Sequence, residues 1–81
     1  MSDETIDTDT PITRPLPELT NRELEVALML GRGETNREIS KALAISIKTV
    51  DTHRGHLLKK LECKNNVSLA RRLIREGLVT P

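Results

Sequence analysis

An all-α fold, a bundle of four short helices containing a helix-turn-helix, is what this sequence predicts, and three observations predict it. The 81 residues include no Phe, Tyr or Trp, so the core has to be built from Leu, Ile, Val, Ala and Met, which suit short helices packed closely together. The tetrapeptide "TNRE" occurs twice, at Thr20 to Glu23 and at Thr35 to Glu38. Thr followed three residues later by Glu is a capping box, in which the hydroxyl takes one orphan amide of the first helical turn and the carboxylate reaches back to another. Apolar residues then recur at helical spacing between Gly, Ser and Asn punctuation. The repeat is therefore one piece of capping chemistry used twice, not a duplicated domain.

The first helix is expected from about Asn21 to Leu30, stopped by Gly31 and Gly33. Val26, Ala27 and Leu30 follow Glu23 as an inward stripe, while Leu24 and Leu28 form a second apolar pair on another face. So apolar a surface, in so short a chain, means either burial or a protein contact through Leu24 and Leu28. The second helix is expected from about Asn36 to Leu43, turning Ile39, Ala42 and Leu43 to the core. Ala44, Ile45 and Ser46 make a tight turn, and Ser46 caps a third helix from Ile47 to about Leu61 by accepting from the Lys48 or Thr49 amide. Two helices joined by so short a turn describe helix-turn-helix geometry. A fourth helix follows the "KNN" turn near Asn66 and carries Val67, Leu69, Ala70, Leu73 and Ile74 until Gly77. Arg71, Arg72 and Arg75 suit the negative end of its dipole.

Residues 1–18 read as an acidic, flexible tail or linker, because Pro11, Pro15 and Pro17 deny it a helix and Thr and Asp dominate the rest. Residues 19–81 form the domain. The formal net charge of +1 hides an asymmetry: residues 1–19 carry five acids against Arg14, whereas residues 20–81 carry 12 bases against 7 acids. A basic body suggests an anionic partner, of which nucleic acid is the commonest. No run approaches the 18 or so apolar residues of a membrane span, and acids stand where a signal peptide needs bases. A cytoplasmic protein is expected, associated with the nucleoid. Cys63 is the single cysteine, which excludes an internal disulfide.

The third helix holds the chemistry. Val50, Leu57 and Leu61 share one face, and the opposite face carries Lys48, Asp51, Thr52, Gly55 and Lys59. Short polar side chains lie toward its amino-terminal turns, with Arg54, Lys59 and Lys60 supplying charge at the sides. A helix entering a major groove needs that combination: small hydrogen-bonding groups toward base edges and bases flanking them for phosphates. Gly55 either permits close approach to the groove or is tolerated at about 1 kcal/mol of helix stability. Asp51 repels phosphate but can accept from a cytosine amino group, and a first-turn acid also suits the helix dipole.

From "LTNRE", "TNREIS", "SIKTVDTHR", "LLKKL" and the closing "GLV", spread over Leu19 to Val79, the chain resembles the carboxy-terminal DNA-binding domain of the LuxR, NarL and FixJ regulators of bacterial transcription. The resemblance implies a four-helix, GerE-like domain that binds double-stranded DNA with its third helix in the major groove, as a homodimer on two half-sites. It places base reading at Asp51, Thr52 and Gly55, and backbone contacts at Thr35, Lys48, Thr49, His53, Arg54 and Lys59 or Lys60. Dimer contacts would come from the fourth helix, with Leu69, Arg72 and Leu73 as candidates. Some relatives carry a basic residue at Asp51 and a longer polar one at Gly55, so their sequence preference does not transfer. Ala44 stands where many members have a turn glycine, at a cost of roughly 1 kcal/mol where the backbone is left-handed. Leu24 and Leu28 occupy places often polar in the family. Eighteen residues ahead of the domain form neither a receiver nor a ligand-binding domain, so the chain reads as a stand-alone regulator or the end of a longer one.

Two other classes compete. A sigma-factor region also uses a helix-turn-helix, but "TVDTHR" followed by "LLKKL" and a fourth helix favours the regulator. A protein-interaction module would bind RNA polymerase or another regulator through Leu24 and Leu28 and show little loss of binding with salt, unlike a phosphate-binding protein. An enzyme fits poorly: no phosphate loop, catalytic carboxylate pair or nucleophile motif is present, and His53, His56 and Cys63 have no standard zinc spacing. No cofactor is expected.

Overall fold

The computed structural model describes residues 16–80. The proline-containing tail expected over residues 1–18 lies outside them, except for its last three residues.

Among the described residues side-chain caps start every helix. Thr20 opens α1 (Asn21–Gly31) with both bonds of a capping box: its hydroxyl accepts from the Glu23 amide at 3.1 Å, and Glu23 Oε1 accepts from the Thr20 amide at 3.0 Å. Thr35 and Glu38 repeat the pair for α2 (Asn36–Leu43) at 3.1 and 2.8 Å. Ser46 accepts from the Thr49 amide at 3.0 Å to start α3 (Ile47–Lys60), and Asn65 accepts from the Ser68 amide at 2.9 Å to start α4 (Asn66–Arg75).

The ends share one geometry. After each of these helices an amide one or two residues past the cap returns to a carbonyl five residues back: Glu34 to Met29, Ile45 to Ser40, Cys63 to Leu58 and Leu78 to Leu73, all at 2.9–3.1 Å. That closure needs a left-handed residue. Gly33 (φ 93°) and Gly77 (φ 78°) supply it cheaply, but Ala44 (φ 58°) and Glu62 (φ 57°) carry a Cβ in the same region. Ala44→Gly and Glu62→Gly are each expected to stabilise the fold by about 0.5–1 kcal/mol, the relief of the Cβ clash less the entropy of a freer unfolded chain. Thermal unfolding of each variant checks this, as a rise in Tm of roughly 2–8 °C.

Gly31 has a different role from the stop expected of it. It is the last residue of α1, and a Cβ there would stand 2.5 Å from Leu73 Cδ1 and 3.3 Å from Val79 Cγ2. The missing side chain lets α4 close against the end of α1.

α1 packs against both α3 and α4, while α2 packs against α3. α2, the Ala44–Ser46 turn and α3 are the helix-turn-helix. Leu19, Val26, Ala27, Leu30, Ile39, Val50, Leu57, Leu61, Leu69 and Leu73 are buried, together with Leu58 and Leu16. Leu16 corrects the expected boundary, because it is fully buried and its carbonyl accepts from the Leu19 amide at 3.1 Å. The folded unit therefore begins within the stretch read as tail. Ala42 is exposed, against its expected inward place. Leu43 and Ile45 fill that side of the core instead. Among the described residues no helix is long and apolar enough to cross a membrane.

One buried charge joins α1 to α3. The Glu23 side chain is 7% exposed and its Oε1 accepts from Lys60 Nζ at 2.7 Å as well as from the Thr20 amide. Burial alone pushes the Glu23 carboxyl up, but the hydrogen bonds from Lys60 and from Thr20, with the Lys60 charge, outweigh it and hold the group below its usual value.

Candidate nucleic-acid interface

The fold leaves one face of α3 in solvent. Lys48, Asp51, Thr52, Gly55, His56 and Lys59 are all exposed, while Val50, Leu57 and Leu58 on the other side are buried. Lys48, Thr52, Gly55 and Lys59 recur at four-, three- and four-residue steps and make a single stripe along the helix axis. Its two ends carry ammonium groups and its middle carries a hydroxyl and a bare backbone. With 14 residues the helix is about 21 Å long, enough to lie in a major groove about 12 Å wide.

Local bonds set what each group can offer. The Thr52 hydroxyl donates to the Lys48 carbonyl at 3.1 Å, so toward solvent it presents an acceptor oxygen and a methyl group. Gly55 has no atom within 4 Å of where a Cβ would stand. The structure itself therefore does not require glycine there. Thr49 Oγ1 and Ser46 Oγ share a hydrogen bond at 2.8 Å at the start of the helix. His53 is half-buried.

Arg54 leans off the stripe. Its Nε donates to Asn66 Oδ1 at 2.9 Å at the first turn of α4, and its guanidinium lies 3.7 Å from Asp51 Oδ1. No sequence signal announces this link, because Arg54 and Asn66 stand 12 residues apart on different helices. Asn66 also lines a shallow groove with Thr35, the exposed cap of α2, and with Arg71. The start of α2, the flank of α3 and the start of α4 thus meet on one side of the molecule.

Of the two lysines offered for phosphate contact, Lys60 is half-exposed but paired with the buried Glu23 at 2.7 Å. Lys59 is exposed and makes no ion pair among the described residues.

A helix-turn-helix with this polar stripe meets a matching family: the profile of bacterial regulatory proteins of the luxR family covers residues 17–73. The chain belongs to the LuxR family. Two relatives are bacterial regulators. The response regulatory protein YgeK of Escherichia coli K12 is 41% identical over 63 residues, 78% of this chain and 43% of YgeK. The oxygen regulatory protein NreC of Staphylococcus aureus is 34% identical over 67 residues, 83% of this chain and 31% of NreC. The chain thus spans less than half the length of these relatives. Membership makes this LuxR-family unit a DNA-binding domain of transcription regulation, with a fold as the sequence predicts.

Burial bears on two sets of expected contacts. Leu69 and Leu73, offered as dimer contacts, are 0% exposed within the single chain, so neither can meet a second subunit without unpacking the core. Arg72 is committed too: it donates to the Leu61 carbonyl at 3.3 Å and lies 3.9 Å from Glu18 and 3.5 Å from Glu76. The apolar side chains that α4 does expose are Val67 (64%) and Ile74 (37%), with Ala70 between them. On α1, Leu24 packs against the core and Leu28 is half-buried, which narrows the second apolar face expected there. Among the described residues no three His, Cys, Asp or Glu groups gather as a metal site.

Proposed function

We propose that this LuxR-family domain binds DNA sequence-specifically, with α3 in the major groove, and acts as a dimer on an inverted repeat. The exposed stripe from Lys48 to Lys59 carries the reading, since it is charged at both ends and short or bare in the middle. Asp51, Thr52 and Gly55 face the base edges. Thr35, Lys48, Thr49, His53, Arg54 and Lys59 face the phosphates on either side. Asp51 and Thr52 both present acceptors, which suit the amino groups of cytosine and adenine. The α4 face of Val67, Ala70 and Ile74 supports self-association, because the same apolar patch on two copies meets itself about a two-fold axis.

Selection of the purified chain from a randomised duplex pool at near-physiological salt tests this. The expected product is an inverted repeat with half-sites about one helical turn apart. Lys59→Ala should then weaken binding to all duplexes alike, whereas Thr52→Ala should change the preferred sequence. Equal effects of both variants on every sequence would defeat the assignment. Gly55→Ala is expected to raise stability by about 1 kcal/mol, because the space is open and alanine is the better helix former. If DNA binding falls while stability rises, the glycine serves backbone approach to the groove. Unchanged binding would make it a tolerated residue.

A further inference from the structure

Arg54 is held by two partners that the sequence does not connect. Asn66 Oδ1 accepts from Nε at 2.9 Å, and Nη1 faces Asp51 Oδ1 at 3.7 Å. A guanidinium is planar and presents its donors in a fixed fork, so engaging Nε fixes the plane in which the terminal nitrogens lie. The bond from α4 therefore decides where Nη1 points, and it points at Asp51. At 3.7 Å the contact is an ion pair, not a hydrogen bond, which leaves the carboxylate lone pairs free. The Asp51 side chain is 65% exposed and that of Arg54 only 31%. The acid thus stands toward solvent with a less exposed cation beside it.

We propose that Asn66 is a specificity-positioning residue. Through Arg54 it holds the Asp51 carboxylate in place and offsets its charge, and so sets which base pair Asp51 accepts from. The inference rests on base reading by α3 but goes beyond it, since Asn66 lies on another helix. A free carboxylate at the groove repels phosphate on both strands. A braced one loses part of that repulsion and keeps one orientation for an amino donor of cytosine or adenine. Without Asn66, Arg54 regains its rotamers, leaving Asp51 mobile and unshielded.

The test is the same duplex selection, run on the wild type, Asn66→Ala, Asp51→Ala, the double variant and Asn66→Asp. A mismatched base pair normally costs about 5- to 150-fold in affinity. Asn66→Ala is expected to lose about fivefold or more of discrimination at one base pair per half-site, the pair whose preference Asp51→Ala also alters. In the Asp51→Ala background, removing Asn66 should change the preference no further. Asn66→Asp keeps the acceptor oxygen and an acid that suits the start of α4, so it should restore the wild-type preference. Thermal unfolding of each variant separates these effects from loss of fold. Wild-type preference in Asn66→Ala, uniform weakening on all duplexes, or an effect that adds to that of Asp51→Ala would overturn the proposal while base reading stood. A wild-type chain that enriches no sequence would overturn base reading, and the proposal with it.

Discussion

Leu73→Ala is expected to cost about 2–5 kcal/mol of folding stability, a large share of the roughly 4–12 kcal/mol that a domain of this size possesses. Leu73 is 0% exposed, and its Cδ1 occupies the space where Gly31 lacks a side chain. Truncation removes buried methyl groups and leaves a cavity between the end of α1 and α4. Urea unfolding measures the loss, and it should be the same at every protein concentration. A loss that vanished on dilution would instead put Leu73 at a subunit contact. The pair with Gly31 sharpens the test. Gly31→Ala alone forces its Cβ onto Leu73 and should cost about 1–3 kcal/mol. In the Leu73→Ala background the new methyl has room, so the double variant should be more stable than the sum of the two losses implies.

Glu23→Ala should cost about 2 kcal/mol, whereas Glu38→Ala, at the same place in the second "TNRE", should cost well under 1 kcal/mol. Both acids close a capping box, but only Glu23 is buried and only Glu23 also receives Lys60 of α3, at 2.7 Å. Removing it leaves the Thr20 amide without its acceptor and unlatches α1 from α3. Lys60 is 39% exposed, so it regains water and the loss stays below that of a fully buried pair. The same group predicts an acid dependence. The folded Glu23 carboxyl titrates below its ordinary value. Its contribution is therefore complete above the unfolded carboxylate value of about 4.3 and is lost as pH falls through the lower folded value. Thermal unfolding between pH 6 and roughly 3 should show a steeper decline for the wild type than for Glu23→Gln. Parallel curves would deny Glu23 that role.

Local chemistry explains which parts of this architecture were legible beforehand. The starts of all four helices, and the ends of α1 and α4, are written in residues acting within three or four positions of themselves: Thr20, Thr35, Ser46, Asn65, Gly33 and Gly77. Such contacts depend on spacing alone. The left-handed turns at Ala44 and Glu62 are where local preference loses to packing. Leu43 and Ile45 are drawn against the core around the first, and Leu58, Leu61 and Cys63 around the second, so the backbone takes the unfavourable conformation. The stripe of Lys48, Thr52, Gly55 and Lys59 was legible for the same reason as the caps, since it follows from helical period alone.

The sequence by itself determined four helices, a helix-turn-helix, a polar face on the third helix and membership in a DNA-binding class, because each of these rests on short-range periodicity, capping or contiguous motif. Only the tertiary structure decided which of several equivalent residues is spent inside. Leu69 and Leu73 lie in the core while Val67 and Ile74 stay out, and Lys60 is taken by Glu23 while Lys59 stays free of ion pairs among the described residues. It also brought Arg54 to Asn66 across two helices. An amphipathic period names a face only to within about one residue's rotation, and the crossing of α1 over α3 and α4 selects which side chains it covers.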